Sequence, residues 1–352
     1  MAIRQVDGFA GPPWERPLNG VLDKLVVESE VLAGNPLGDP FRRPLYVYRS
    51  PGVVAGSAAA VQSIYLLQSF SGQLDAWLAR DSFEPTRIER FDALYGPEAE
   101  PLPDCVLVFV DAWTSLGGSQ FLNSSATGDY TDYICDEVVP FIDRRYPTGS
   151  EPALRSVTGH SSGGYGAMVL PMLRPDVFGA LAAQAGDSLF EVCYQPDFRK
   201  AARVLRDAFG GSVERFHAEL QARESFDWSR FGDILNVYAM AAAYSPDPDR
   251  SGHVMLPFEI ATGQLIEDVW ALWLAHDPVR MARGHAQALS GLRQIYLEAG
   301  RSDEYYLDLG AQAFGAELDK LGVAHTLTLF AGRHGGISHR YPIAVRELLR
   351  SV

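Results

Sequence analysis

"SVTGHSSGGYGAM", residues 156–168, sets two adjacent serines among glycines directly after a short apolar stretch. Gly159-His160-Ser161-Ser162-Gly163 has the form G-x-S-x-G, and only Ser161 can stand at its centre. Centring on Ser162 would put His160 where the first glycine belongs. Gly117-Gly118-Ser119 fails because Phe121 occupies the place of the second glycine. The pattern has a physical cause. A strand that turns sharply into a helix strains the backbone at the serine. Glycines on either side remove the Cβ atoms that would collide there. The Oγ then stands at a helix N-terminus, and the N–H of Ser162 is placed to donate to an oxyanion. The competing reading is a Gly-rich turn with an idle serine. The context favours the first: the apolar "LRSVTG" (154–159) precedes the motif and the helix-like "YGAMVLPMLRP" follows it.

Outward from this turn, short apolar runs alternate with helical stretches. "PLYVYRSPG" (44–52) reads as a strand ended by Pro-Gly. "SIYLLQS" (63–69) and "CVLVFVD" (105–111) are continuous apolar runs, as suits strands buried on both faces of a parallel sheet. "DYTDYICDEVVPFIDRRYP" (129–147) carries apolar residues at helical spacing. "FGALAAQAGD" (178–187), "RQIYLEAG" (293–300) and "HTLTLFAG" (325–332) read as further strands, with the helical "LDLGAQAFGAELDKLG" between the last two. The alternation predicts an α/β fold with a mostly parallel central sheet flanked by helices. Residues 190–285 break the rhythm and read as helices and loops. They are expected to form an insert or cap over the sheet edge where ligands bind such folds. Residues 1–20 are Pro/Gly-rich and read as an arm on the domain of residues 21–352, suited to packing on a second subunit of a homodimer.

A serine nucleophile needs a base, and the base needs an orienting acid. On this fold the chain order is Ser, then Asp or Glu, then His. His276 and His285 come too early, and His325 begins a strand. His334 follows "TLTLFAG" at a strand's carboxyl end, in the Gly-rich "GRHGG", and is the favoured base, with His339 as runner-up. For the acid, "IYLEAGRSDEYY" ends a strand and then offers Asp303 and Glu304. The loop position favours Asp303, which is also suited to capping the next helix. Glu298 lies inside the strand and Asp308 on the following helix.

With these residues in place the chain resembles the Putative esterase family of α/β-hydrolases. That family holds S-formylglutathione hydrolases (esterase D), enterochelin-type esterases, feruloyl esterases and mycolyltransferases. The resemblance is carried by "NPLGDPFRRPLYVY", "GDYTDYICDEVVPFIDRRYPT", "GHSSGGYGAM", "GDSLFEVCY", "LEAGRSDEYYLDLGA" and "FAGRHGGISHRYP", which span most of residues 30–350. It implies an α/β-hydrolase fold, with Ser161 as nucleophile, His334 as base and Asp303 as acid. There is one departure. Where many relatives end the strand matching "SIYLLQS" in His-Gly, this chain reads Gln68-Ser69-Phe70-Ser71-Gly72. A backbone N–H donor does not require His-Gly, so Ser69 or Phe70 is expected to supply the second oxyanion contact, with Gln68 lining the pocket.

Strand ends nominate the remaining pocket residues. Trp113 follows "CVLVFVD", Phe70 and Trp77 follow the preceding strand, and Tyr165 sits near the nucleophile. Asp187 and Phe190 follow "ALAAQAG". Aromatic side chains there suit an acyl or aryl group, although plain core packing is the alternative for each. Trp228, Trp270 and Trp273 of the insert read as cap core. The net charge of −14 disfavours nucleic acid and anionic membrane surfaces. No 18-residue apolar run exists, so no transmembrane helix is expected. The three scattered cysteines and the lack of an apolar N-terminal region point to a reducing, cytoplasmic setting. No metal cluster and no nucleotide-binding motif are present, so no cofactor is expected. The expected function is carboxylic-ester hydrolysis on a small-molecule substrate through an acyl-enzyme. The alternatives are acyl transfer from the same intermediate, a siderophore or feruloyl esterase, and a non-catalytic binder.

Overall fold

The computed structural model describes residues 16–56, 60–222 and 224–350. Eight strands form one sheet: β1 (Val21–Glu28), β2 (Arg42–Arg49), β3 (Gln62–Leu67), β4 (Cys105–Val110), β5 (Arg155–His160), β6 (Ala180–Gln184), β7 (Gln294–Gly300) and β8 (Thr326–Phe330). Their spatial order is β1-β2-β4-β3-β5-β6-β7-β8. β2 pairs antiparallel with both β1 and β4, and every pairing from β4 to β8 is parallel. β3, β4 and β5 are buried along their whole length, which is why they read as unbroken apolar runs.

β1 had no expected counterpart. It is an edge strand whose burial alternates, with Val26 70% exposed, so it lacks the apolar run that marks the interior strands. The two sheet faces carry separate cores. On one, Val108, Val157 and Leu181 pack under helix α2 (Ser162–Leu173). On the other, Ile64 and Phe109 meet Trp77, Phe91 of helix α1 (Arg87–Asp92), and Val345 and Leu348 of helix α9 (Tyr341–Arg350).

The described part of residues 190–285 forms helices joined by loops. They include α3 (Gln195–Phe209), α4 (Val213–Ala222), α5 (Trp228–Tyr244), α6 (Glu267–Leu274) and α7 (Pro278–Gly284). α8 (Leu307–Leu321) then bridges β7 and β8. The arm expected over residues 1–20 falls mostly on residues 1–15, which lie outside the described residues. Among the described residues no helix is long and apolar enough to cross a membrane.

The β5–α2 junction fixes where the two faces meet. A Cβ on Gly159 would stand 2.5 Å from the carbonyl carbon of Gly163, and one on Gly163 would stand 2.4 Å from the carbonyl oxygen of Leu67 at the end of β3 and 2.9 Å from that of Gln68. Gly163→Ala should therefore cost about 1–3 kcal/mol by overpacking against backbone that cannot yield. Thermal unfolding should record a lower melting temperature for it than for Gly284→Ala, whose added methyl meets nothing within 4 Å.

Candidate active site

Ser161 sits at the point of the β5–α2 turn with φ 59° and ψ −123°, a conformation that side-chain-bearing residues rarely hold. Two hydrogen bonds pin it there. Its N–H donates to the Gln184 carbonyl at the end of β6 at 3.0 Å, and its carbonyl accepts from Tyr165 N–H at 2.9 Å.

His334 arrives from the loop after β8, with Nε2 3.1 Å from Ser161 Oγ. Its Nδ1 lies 2.8 Å from Oδ2 of Asp303, in the loop after β7. The Asp303 side chain is fully buried, and its second oxygen accepts from Tyr305 N–H at 2.9 Å. Both oxygens are thus committed, which holds the carboxylate toward the imidazole. Glu304, the neighbouring acid, instead accepts from the backbone N–H of His334 at 2.9 Å and pairs with Arg333, so it anchors the loop. Glu298 is buried against Arg340, and His339 is exposed to solvent. The geometry therefore brings together Ser161, His334 and Asp303 and leaves the alternatives elsewhere.

His160 is stacked against this group, its ring 4.5 Å from that of His334. Burial, reinforced by the neighbouring His334, pushes its pKa down to about 3, so the ring is neutral. Its Nδ1 lies 3.1 Å from Ser69 Oγ, and that hydroxyl donates to the His160 carbonyl at 3.0 Å. The Ser69 side chain thereby ties the 68–72 loop to the end of β5. The backbone N–H groups of Ser69, Phe70 and Ser162 meet no acceptor among the described residues. Gln68 closes the loop by donating to the Gly72 carbonyl at 2.7 Å.

These groups open onto a cavity of about 640 Å³. Of the residues nominated from the sequence, Gln68, Ser69, Phe70, Ser162 and Asp187 line it. The Asp187 carboxylate is buried and accepts from Tyr194 Oη at 2.7 Å and Gln120 Nε2 at 3.2 Å; burial raises its pKa against the pull of those bonds.

Three expected pocket residues are corrected. Trp113 does not line the cavity: its carbonyl is held by Arg43 Nη1 and the Tyr130 hydroxyl, at the β2–β4 side of the sheet. Tyr165 and Phe190 are wholly buried behind the wall, in an aromatic cluster with Tyr194 and Tyr244. Their place after strand ends was legible, but the direction of their side chains was not. Trp228 is corrected in the opposite sense. It is half-exposed and lines the cavity, whereas Trp270 and Trp273 are insert core. Arg87, Asp197, Asp233, Tyr305 and Tyr341 also face the cavity and had no sequence signal of their own. No group of three or more His, Cys, Asp or Glu placed to hold a metal occurs among the described residues.

A mostly parallel sheet that presents a serine at its strand-to-helix turn, and a histidine and an aspartate on later strand ends, defines an α/β-hydrolase. The family model described as "Putative esterase" matches residues 119–342, and the chain belongs to that esterase family. No curated protein matches the sequence significantly. Among solved structures, a ferulic acid esterase aligns with a TM-score of 0.58 at 15% identity, covering 96% of this chain and all of its own. An S-formylglutathione hydrolase from Agrobacterium tumefaciens aligns at 0.55 and 15% identity, covering 96% and 97%. A fluorophosphonate-binding serine hydrolase of Staphylococcus aureus, FphF, aligns at 0.55 and 16%, covering 94% and 97%. These likenesses establish the shared fold.

The depressed pKa of His160 makes a pH prediction. A histidine whose folded pKa lies below its unfolded value of 6.5 contributes stability that is complete above pH 6.5 and is lost as pH falls toward 3. Relative to His160→Asn, the wild type should lose on the order of a few kcal/mol over that window. Denaturant unfolding of both proteins at stepped pH measures it, and parallel curves would refute the assignment.

Proposed function

We propose that this esterase hydrolyses carboxylic esters through an acyl-enzyme on Ser161. His334 Nε2 takes the Ser161 proton as Oγ attacks the ester carbonyl carbon. The carbonyl oxygen becomes an oxyanion, held by the N–H of Ser162 and one N–H from Ser69 or Phe70. The carbon–alkoxy bond then breaks, and the imidazolium gives its proton to the leaving alcohol. Water enters, gives a proton to His334 and attacks the acyl carbonyl. The second tetrahedral intermediate collapses to the free acid, and the proton returns to Ser161. Asp303 fixes the imidazole tautomer and stabilises the imidazolium throughout.

The observation that carries this reading is the unbroken chain Asp303 Oδ2–His334 Nδ1, His334 Nε2–Ser161 Oγ, at 2.8 and 3.1 Å. It starts at a serine held in a strained turn. The non-catalytic alternative rested on the altered 68–72 loop, and the free N–H groups there remove that support. Residues 190–285 act as a cap, since Asp197, Trp228 and Asp233 supply one wall of the cavity. The three cysteines are free and buried, which fits a cytoplasmic setting.

Hydrolysis of p-nitrophenyl esters from acetate to decanoate tests the reading. Ser161→Ala should lower kcat by about 10³- to 10⁶-fold, and Asp303→Asn by about 10⁴-fold. Labelling by a fluorophosphonate should occur in the wild type and vanish in Ser161→Ala. Activity or labelling that survives in Ser161→Ala would sink the mechanism.

A further inference from the structure

The cavity walls differ in charge. The insert side carries Asp197 and Asp233, both facing Lys200, a largely exposed residue on α3. Beyond these the lining holds the buried carboxylate of Asp187 and one cation, Arg87, at the start of α1. Its guanidinium has no hydrogen-bond or ion-pair partner among the described residues. The surrounding acids are committed elsewhere. Glu89 pairs with Arg80, Glu84 with Arg90, Asp75 accepts from Tyr46 Oη at 2.6 Å, and Asp92 takes Tyr48 Oη at 2.8 Å and Asn19. Arg87 is held instead by two rings, with its guanidinium carbon 5.5 Å from the centroid of Trp77 and 5.7 Å from that of Tyr341.

That arrangement also ties Arg87 to the reacting groups. Tyr341 packs edge-on against His160 at 6.2 Å, and His160 stacks on His334. A planar cation, oriented by aromatic faces, with its donors unpaired and an ester-cleaving serine in the same cavity, is a recognition point for a carboxylate. A purely structural cation–π staple would not need to border the cavity, as Arg87 does. The acidic insert wall adds orientation, since it repels an anion that enters the wrong way round.

We infer that Arg87 binds a carboxylate on the substrate, so that the enzyme acts on esters bearing a carboxylate on one arm. This rests on the esterase reading above. The carboxylate belongs either to the acyl arm, as in a half-ester of a dicarboxylic acid, or to the alcohol arm, as in an ester of a hydroxy acid.

Two matched pairs of esters separate these. The 4-nitrophenyl half-ester of glutaric acid is compared with 4-nitrophenyl pentanoate, and the pentanoate ester of 4-hydroxybenzoate with that of 4-hydroxybenzamide. In the wild type one pair should favour the anion about tenfold to a hundredfold in kcat/KM, expressed mainly in KM. Arg87→Met should abolish the preference, and Arg87→Lys should keep only part of it, since the fork geometry is lost. Arg90→Gln, one turn away and paired outward with Glu84, should keep it. Melting temperatures of the Arg87 variants record any loss of the ring contacts separately. The same four esters are titrated calorimetrically into Ser161→Ala and into Ser161→Ala with Arg87→Met. A binding preference for the anion in the first and not the second supports the site even if no ester is cleaved, a result that would fault the esterase reading alone. Equal treatment of both pairs by the wild type, or a preference that survives Arg87→Met, would overturn the inference.

Discussion

The close approach of the first turn of α2 to the end of β3 governs this molecule. Gly163 lies so near the Leu67 carbonyl that a Cβ could not enter. The chain therefore leaves β5 through a left-handed residue, and that residue is Ser161. Three strands close around the point: β5 leads into it, β6 accepts its N–H through Gln184, and the loop after β3 is tied beside it by Ser69. Were this junction looser, Ser161 would relax to an ordinary helix N-cap and its hydroxyl would turn toward its own helix. Strain at one residue is thus sustained by the packing around it.

The partners of Ser161 are delivered by the sheet rather than by local sequence. β7 and β8 run parallel in register, Gly300 opposite Phe330, so the loops that follow them emerge side by side. Gly300 approaches the Gly332 carbonyl, and Ser302 N–H donates to that same carbonyl at 2.9 Å. The two loops are therefore one structure, and the Asp303–His334 contact is a property of their pairing. Glu304 adds a second clasp by accepting from the His334 backbone. A separation of 31 residues in sequence becomes one hydrogen bond because the strands are adjacent.

What was legible in the sequence follows from this. β3, β4 and β5 are covered on both faces, so burial wrote itself into continuous apolar runs. The turn at Ser161 was legible because its steric demands leave no room for a Cβ at positions 159 and 163. β1 was not, because an edge strand satisfies only one face. The capping box Thr86–Glu89 marks the start of α1, and the spacing of Ala344, Val345, Leu348 and Leu349 marks α9, so both elements carried a signal. Side-chain direction carried none. Tyr165 and Phe190 follow strand ends but point into the core, whereas Trp228 looks like insert core and points into the cavity. Chain position gives proximity to a site, and only packing decides which side chains reach it.

The two-signed cavity also has to be squared with a protein of net charge −14. A surface of that sign repels an anionic substrate at long range, and steering would slow the encounter. At physiological ionic strength, however, exposed charges are screened over about 8 Å, so most of the surface acids are silent at the cavity floor. Arg87 is half-buried between Trp77 and Tyr341, where screening is weaker and the local field is set by near neighbours. Trp77 and Tyr341 face it, the nearby acids Glu84, Glu89, Asp75 and Asp92 are engaged by other donors, and burial keeps His160 uncharged. One unpaired cation in such a place outweighs many solvated carboxylates for a ligand already inside. Overall charge therefore bears on how fast a substrate arrives, while the rings that orient Arg87 decide what is held once it does.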